Sequence, residues 1–303
     1  MSMIRFLLGG LCLGLLTAAT PALAQAPLFT VPELSSKQLQ ERAQQLSTDA
    51  IRLARVARLE EAEALAALAV QLSNKDYQTY TILGVLSLQN NKPEQALTAL
   101  RRAAELAPDK ASVQFNLALV YQRQKDYPKA ANAFERGLKL DPKASDEHFN
   151  LGNVYVLLGR RQDAMQSFKQ AVALRKNFWE AVNNIGLLEY ETGNVDEAKR
   201  RWQEAIDISE RDERAEKAAE PRLALGVALY AQGQQEAGLA LSEEALTIDR
   251  RYGELDYLKE NLWGERLLAD TARVLGTPRI RAALQRIPEP ADDGQETSAR
   301  RAP

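Results

Sequence analysis

Phe115-Asn116-Leu117-Ala118-Leu119-Val120-Tyr121 returns 34 residues later as Phe149-Asn150-Leu151-Gly152-Asn153-Val154-Tyr155. Extended in both directions, this echo becomes a ruler of 34 marks, with Tyr77 as the first mark of one turn of the repeat. Mark 8 is Gly84, Ala118, Gly152 and Gly186, and mark 20 is Ala96, Ala130, Ala164 and Ala198. Mark 24 is bulky (Leu100, Phe134, Phe168, Trp202) and mark 27 is small (Ala103, Gly137, Ala171, Ala205). Small residues at fixed spacing opposite bulky ones are what two closely packed helices require. Turn-forming clusters divide each repeat in two: Asn90-Asn91-Lys92-Pro93, Lys125-Asp126-Tyr127-Pro128, Gly159-Arg160-Arg161 and Gly193-Asn194. Pro108 and Pro142 at mark 32 stop the second helix.

The ruler predicts helix-turn-helix units at 43–76, 77–110, 111–144, 145–178, 179–212 and 219–252. The first is degenerate, with Ala50, Ala62, Ala66 and Ala69 at marks 8, 20, 24 and 27. The sixth keeps Gly226 and Ala245 but has Gly238 and Ser242 at marks 20 and 24. Between the fifth and sixth the period slips by six residues at 213–218, where a charged, helix-favouring stretch predicts a lengthened second helix. Residues 254–275 read as one further amphipathic helix. Thr277-Pro278 opens a short last one, so that 253–287 caps the stack. Residues 25–42 read as a linker and the start of helix, and 288–303, nearly devoid of apolar residues, as a disordered tail.

The chain has 303 residues, 45% of them hydrophobic, and 39 Lys plus Arg balance 41 Asp plus Glu. No concentrated basic excess marks a nucleic-acid partner. Arg5, the apolar run from Phe6 to Leu16 and the small residues of Ala22-Leu23-Ala24 predict a cleavable signal peptide over 1–24. The run is shorter than the roughly 20 residues needed to span a bilayer, so no stable membrane insertion is expected after cleavage. Cys12, the only cysteine, leaves with the signal. The expectation is an exported, periplasmic protein.

Phe115-Asn116-Leu117-Ala118, Tyr121, Ala130, Phe134 and Pro142, with their counterparts Phe149-Asn150-Leu151-Gly152-Asn153, Tyr155, Ala164 and Phe168, resemble the tetratricopeptide repeat family. The resemblance covers residues 43–252. It implies an all-α, right-handed α-solenoid with C-terminal capping helices, whose first helices line a concave groove for an extended peptide or a helix of a partner protein. In that family the groove is faced by marks 2, 5, 6, 9 and 12. Carried onto this chain, the partner-binding groove is Phe115, Asn116, Leu119, Phe149, Asn150, Asn153, Asn183, Asn184, Leu187, Tyr190 and Tyr230. The carboxamides offer the donors and acceptor that a peptide backbone needs, and the aromatics form pockets for its side chains. Inter-repeat packing is the alternative role for those aromatics.

Mark 2 reads Gln78, Ser112, Asp146, Glu180 and Glu220. The Lys and Arg clamp by which some family members grip a chaperone's C-terminal carboxylate is therefore absent; the acidic end either favours Lys or Arg in a partner or is a solvated rim. The segment 258–271 resembles the C-terminal region of some cyanobacterial repeat proteins, which implies a thylakoid-lumen or periplasmic destination and a role in photosystem assembly.

Catalytic, cofactor and metal sites are not expected. His148 is the sole histidine, with no second His or Cys to complete a zinc site. The leading expectation is a non-enzymatic protein-interaction adaptor or assembly factor. The alternatives are a self-associating scaffold joined through the end helices or Trp263, and an accessory subunit of a periplasmic or cell-wall enzyme.

Overall fold

The computed structural model describes residues 34–211 and 218–288. The expected signal peptide, most of the linker, the slip at 213–218 (save Ala218) and the tail beyond Pro288 lie outside the described residues. Twelve helices form six pairs. The first members are α1 (Ser36–Arg55), α3 (Tyr77–Gln89), α5 (Ala111–Arg123), α7 (Ser145–Leu157), α9 (Trp179–Glu191) and α11 (Ala219–Ala231). The second members are α2 (Leu59–Leu72), α4 (Pro93–Leu106), α6 (Tyr127–Leu140), α8 (Arg161–Leu174), α10 (Val195–Arg211) and α12 (Gln235–Ile248). A short 3-10 turn at Arg250–Gly253 leads to α13 (Leu255–Glu260), α14 (Glu265–Leu275) and α15 (Pro278–Arg286). The fold is an all-α, right-handed solenoid, and successive first helices line one side of it.

Mark 8 is small because mark 24 of the same repeat sits on it. A Cβ added to Gly152 would lie 2.5 Å from the Phe168 ring, and one added to Gly186 would lie 2.5 Å from the Trp202 indole. Phe134, Phe168 and Trp202 are fully buried as a result. The sixth repeat uses another solution. Gly226 and Gly238 bring the backbones of α11 and α12 together, and the Ser242 hydroxyl donates to the Gly238 carbonyl at 2.8 Å.

Mark 15 is left-handed in every repeat: Ala57, Asn91, Lys125, Gly159, Gly193 and Gly233 all have φ between 57° and 89°. The N–H of the next residue reaches back over this turn, as from Asp126 to the Tyr121 carbonyl at 2.9 Å and from Arg160 to Tyr155 at 2.8 Å. The turn is thus a Schellman-type stop, which glycine adopts without strain and the three earlier residues adopt at a cost.

The expectation of one helix over 254–275 is corrected. Leu262, at φ 68°, ends α13, and the chain turns through Trp263 and Gly264 before α14 starts. The turn lets α14 fold back across α9 and α11 instead of prolonging the stack, while α15 packs on α12. α10 is a 17-residue helix against 14 for its counterparts α4, α6 and α8. The far side of the slip is anchored by Arg222, only 2% exposed, whose guanidinium donates to Glu210, Glu244 (3.0 Å) and the Ala218 carbonyl (2.7 Å).

Candidate functional site: the concave face

The structure separates the expected groove residues into three groups. Phe115 is buried in its own repeat, where its ring occupies the space that a Cβ on Gly137 would need. Phe149 packs on Phe168 and Phe178, with ring centroids 5.7 and 4.9 Å apart. Mark 5 thus points into the α5–α6 and α7–α8 contacts, because mark 27 leaves a hole there. The contacts of both aromatics are those of repeat packing, with Phe115 buried and Phe149 half-buried.

A second group lies beneath the chain's own C-terminal helices. Tyr190 is 1% exposed, with its hydroxyl donating to Asp270 Oδ2 on α14 at 2.6 Å. Burial first, then the hydrogen bond and charge of Asp270, hold that hydroxyl far above the ordinary tyrosine range. Arg266 lies over the Tyr190 ring at 4.9 Å and donates to the Tyr190 carbonyl at 3.1 Å. The Glu191 carboxylate accepts from the Leu267 backbone N–H at 2.9 Å and from that of Arg266 at 3.3 Å, capping the positive end of α14. Trp263 Nε1 donates to Glu220 at 2.8 Å. Leu187 is buried in the same cluster as Leu267, and Tyr230 is packed against that cluster. Leu223, Ala224 and Val227 of the sixth repeat are fully buried there as well. The groove is therefore closed over its last repeat by α14, a fold-back that the sequence did not reveal because its expected helix ran straight through Leu262.

The third group forms the open face. Asn116, Leu119, Asn153 and Asn184 are half-buried. Asn184 donates to Asn153 at 2.9 Å, and Asn183 to Asn184 at 3.2 Å, so three carboxamides join α7 to α9. Asn150 is buried and donates to Glu147 at 3.1 Å. Asp146 is met by Arg175 at 2.8 Å, and that guanidinium also stacks on Phe178 at 3.4 Å. Of the acidic end, Asp146 and Glu220 thus already have donors within the chain.

Burial raises the Glu147 and Glu180 carboxyls above the ordinary carboxylate value; Asn150 opposes this at Glu147 and the Glu180 N–H and Arg175 oppose it at Glu180, while Asp146 adds repulsion at both. The folded state therefore holds these protons to higher pH than the unfolded state. Stability from these groups is gained as pH falls through the raised values toward 4.5, and is lost as pH rises. The double variant Glu147→Gln, Glu180→Gln is expected to melt above the wild type at pH 7.5, with the gap closing by pH 4.5. Thermal melts across this range check it, and a gap that widens on acidification contradicts the assignment.

His148 Nε2 lies 3.1 Å from the Pro142 carbonyl. Among the described residues, no group of three or more His, Cys, Asp or Glu is placed to hold a metal, and no helix is long and apolar enough to cross a membrane. A cavity of about 880 Å³ lies between α2 and α4, away from the expected groove, over Leu83, Ala64, Ala67 and Ala99. Buried Glu63 at its base accepts from Ser87, Asn90 and Lys92 at 2.6 to 2.8 Å. Burial alone would push its carboxyl up, but these donors and the Lys92 charge leave it below the ordinary value.

Profiles described as tetratricopeptide repeat match residues 83–145, 115–178 and 180–251, together more than half of the chain. No curated protein sequence matches. Among solved structures, PilF of Pseudomonas aeruginosa is similar with a TM-score of 0.62 at 18% identity, over 74% of this chain and 98% of that one. YrrB, described as a TPR protein with an unusual peptide-binding site, has a TM-score of 0.51 at 23% identity, over 65% and 97%. MamA has a TM-score of 0.51 at 20% identity, over 54% and 95%. At these identities the likeness is one of fold. With the 34-residue register and the matching profiles, the chain belongs to the tetratricopeptide repeat family, whose repeats serve protein–protein interaction.

Proposed function

We propose that this chain is an exported adaptor or assembly factor that captures a segment of a partner protein along its open concave face, from α3 to α9. The observation that carries this reading is the half-exposed set Asn116, Asn153 and Asn184, the last two joined across repeats by a 2.9 Å hydrogen bond. Carboxamides presented along one face of successive first helices match the alternating donors and acceptors of an extended chain. YrrB, with its peptide-binding site, offers a precedent on the same fold. The segment ends or turns at α14, which fills the groove beyond Tyr190. Trp263 is buried and bonded to Glu220, so it is not on offer for self-association, and the adaptor reading needs no enzymatic step.

A photoreactive residue at position 153, compared in cells with one at exposed position 203 on α10, tests the reading. Adducts are expected at 153 and not at 203. Asn116→Ala, Asn153→Ala, Asn184→Ala is expected to keep its helicity and to cut capture by about tenfold or more, since each lost hydrogen bond contributes about 1 kcal/mol. Undiminished capture by that variant, or adducts only at 203, rejects it.

A further inference from the structure

We propose that Glu180 and the side-chain oxygen of Asn183, with Asp146 and Glu147 beside them, form a subsite on the concave face for a lysine or arginine side chain of the captured segment. This deepens the groove reading above and rests on it. Three consecutive repeats place a carboxylate at mark 2, and the outer two are satisfied from within the chain. Arg175 meets Asp146 at 2.8 Å, and Trp263 Nε1 meets Glu220 at 2.8 Å. Glu180, half-buried between them, receives no side-chain hydrogen bond among the described residues; Arg175 acts on it only at a distance.

Asn183 stands one helical turn further along the same face of α9 and is 1% exposed. Its amide nitrogen donates to Asn184, and the Asn184 nitrogen donates to Asn153. No carboxamide of this chain donates to Asn183 Oδ1, which is left buried with no donor. Buried polar atoms normally have partners, and an acceptor without one is costly. One charged acceptor with no side-chain donor and one neutral acceptor with no donor at all, a helical turn apart on α9, call for a group that is cationic and rich in N–H. An ammonium brings three donors and a guanidinium five, and neither accepts.

A metal ion fits less well. Asp146 is held by Arg175, and no cluster of three ligating side chains forms among the described residues. The local charge complements a basic side chain: Asp146 and Glu180 stand near one guanidinium, which is itself fixed over Phe178 at 3.4 Å, and Glu147 adds a further carboxyl beside Asp146. Raised carboxyls at Glu147 and Glu180 agree with this, since a cation that shares their burial restores the charged form.

The test uses the mature full chain and end-capped hexalysine, hexaarginine and hexaglutamate carrying a fluorophore, followed by anisotropy at low and high salt. Wild type is expected to bind the two basic peptides and not hexaglutamate, more weakly at high salt. Glu180→Gln, a near-isosteric change, is expected to weaken basic-peptide binding by about tenfold, the loss of one charge-assisted contact. The control Glu204→Gln, exposed on α10, should change it less than about twofold by the same scale. Equal loss in both variants, no loss in Glu180→Gln, or no binding by the wild type overturns the subsite. If adducts form at position 153 while Glu180→Gln binds hexalysine as the wild type does, the subsite falls and the groove reading stands. If Glu180→Gln alone loses the peptide while adducts form only at 203, the groove reading falls and a cation site remains.

Discussion

Gly238→Leu is expected to destabilise the chain by about 3 kcal/mol, at the upper end of ordinary overpacking. A Cβ at this position would lie 2.6 Å from the Gly226 carbonyl oxygen and 2.6 Å from the Tyr230 backbone nitrogen. Both obstacles are backbone in a neighbouring helix, so relief requires α11 and α12 to separate. Separation would break the burial of Leu223, Val227 and Leu246. Gly152→Ala differs in kind, because its Cβ meets the ring of Phe168 at 2.5 Å and a side chain can yield. Alanine at Gly152 also gains about 1 kcal/mol of helix propensity, which offsets part of the clash. Urea unfolding of the two variants checks the contrast; an equal or smaller loss for Gly238→Leu contradicts the close backbone approach.

Neutralising both partners of Arg222, by Glu210→Gln with Glu244→Gln, is expected to cost about 3 kcal/mol. It leaves a guanidinium 2% exposed with the Ala218 carbonyl as its remaining acceptor of full strength. Arg222→Met is expected to cost less than half as much, since it removes the buried charge together with its need for partners. The two carboxylates are more than half exposed and rehydrate without it. Denaturant midpoints in one buffer rank the two variants, and a reversed order shows that the pairing and not the buried charge dominates.

The repeat itself was legible because each contact that builds it lies within one period. Gly152 and Phe168, or Gly186 and Trp202, are spaced as two facing helices demand, and the eye finds the pair from composition alone. The left-handed mark 15 was less visible: glycine occupies it from Gly159 onward, but Ala57, Asn91 and Lys125 adopt the same conformation under the force of the surrounding turn. The site was read only in part. Mark 5 was assigned to the groove, yet the hole at Gly137 draws Phe115 inward. The fold-back of α14 depends on a non-glycine residue at positive φ, Leu262, and on contacts such as Tyr190 to Asp270 that join residues 80 apart. No local periodicity encodes a contact of that range.

That separation also orders the making of the molecule. Neighbouring repeats touch soon after each is complete, and such local contacts form fast. The bond from Tyr190 to Asp270 instead joins residues 80 apart, and non-local contacts form later than those between neighbours. During synthesis all six repeats are complete before α14 exists, so its contacts with α9 and α11 are made only after the stack is built. A chain released before Glu265 carries the six repeats without the helix that packs on α9 and α11. The completion of that end of the solenoid thus depends on residues made after every repeat.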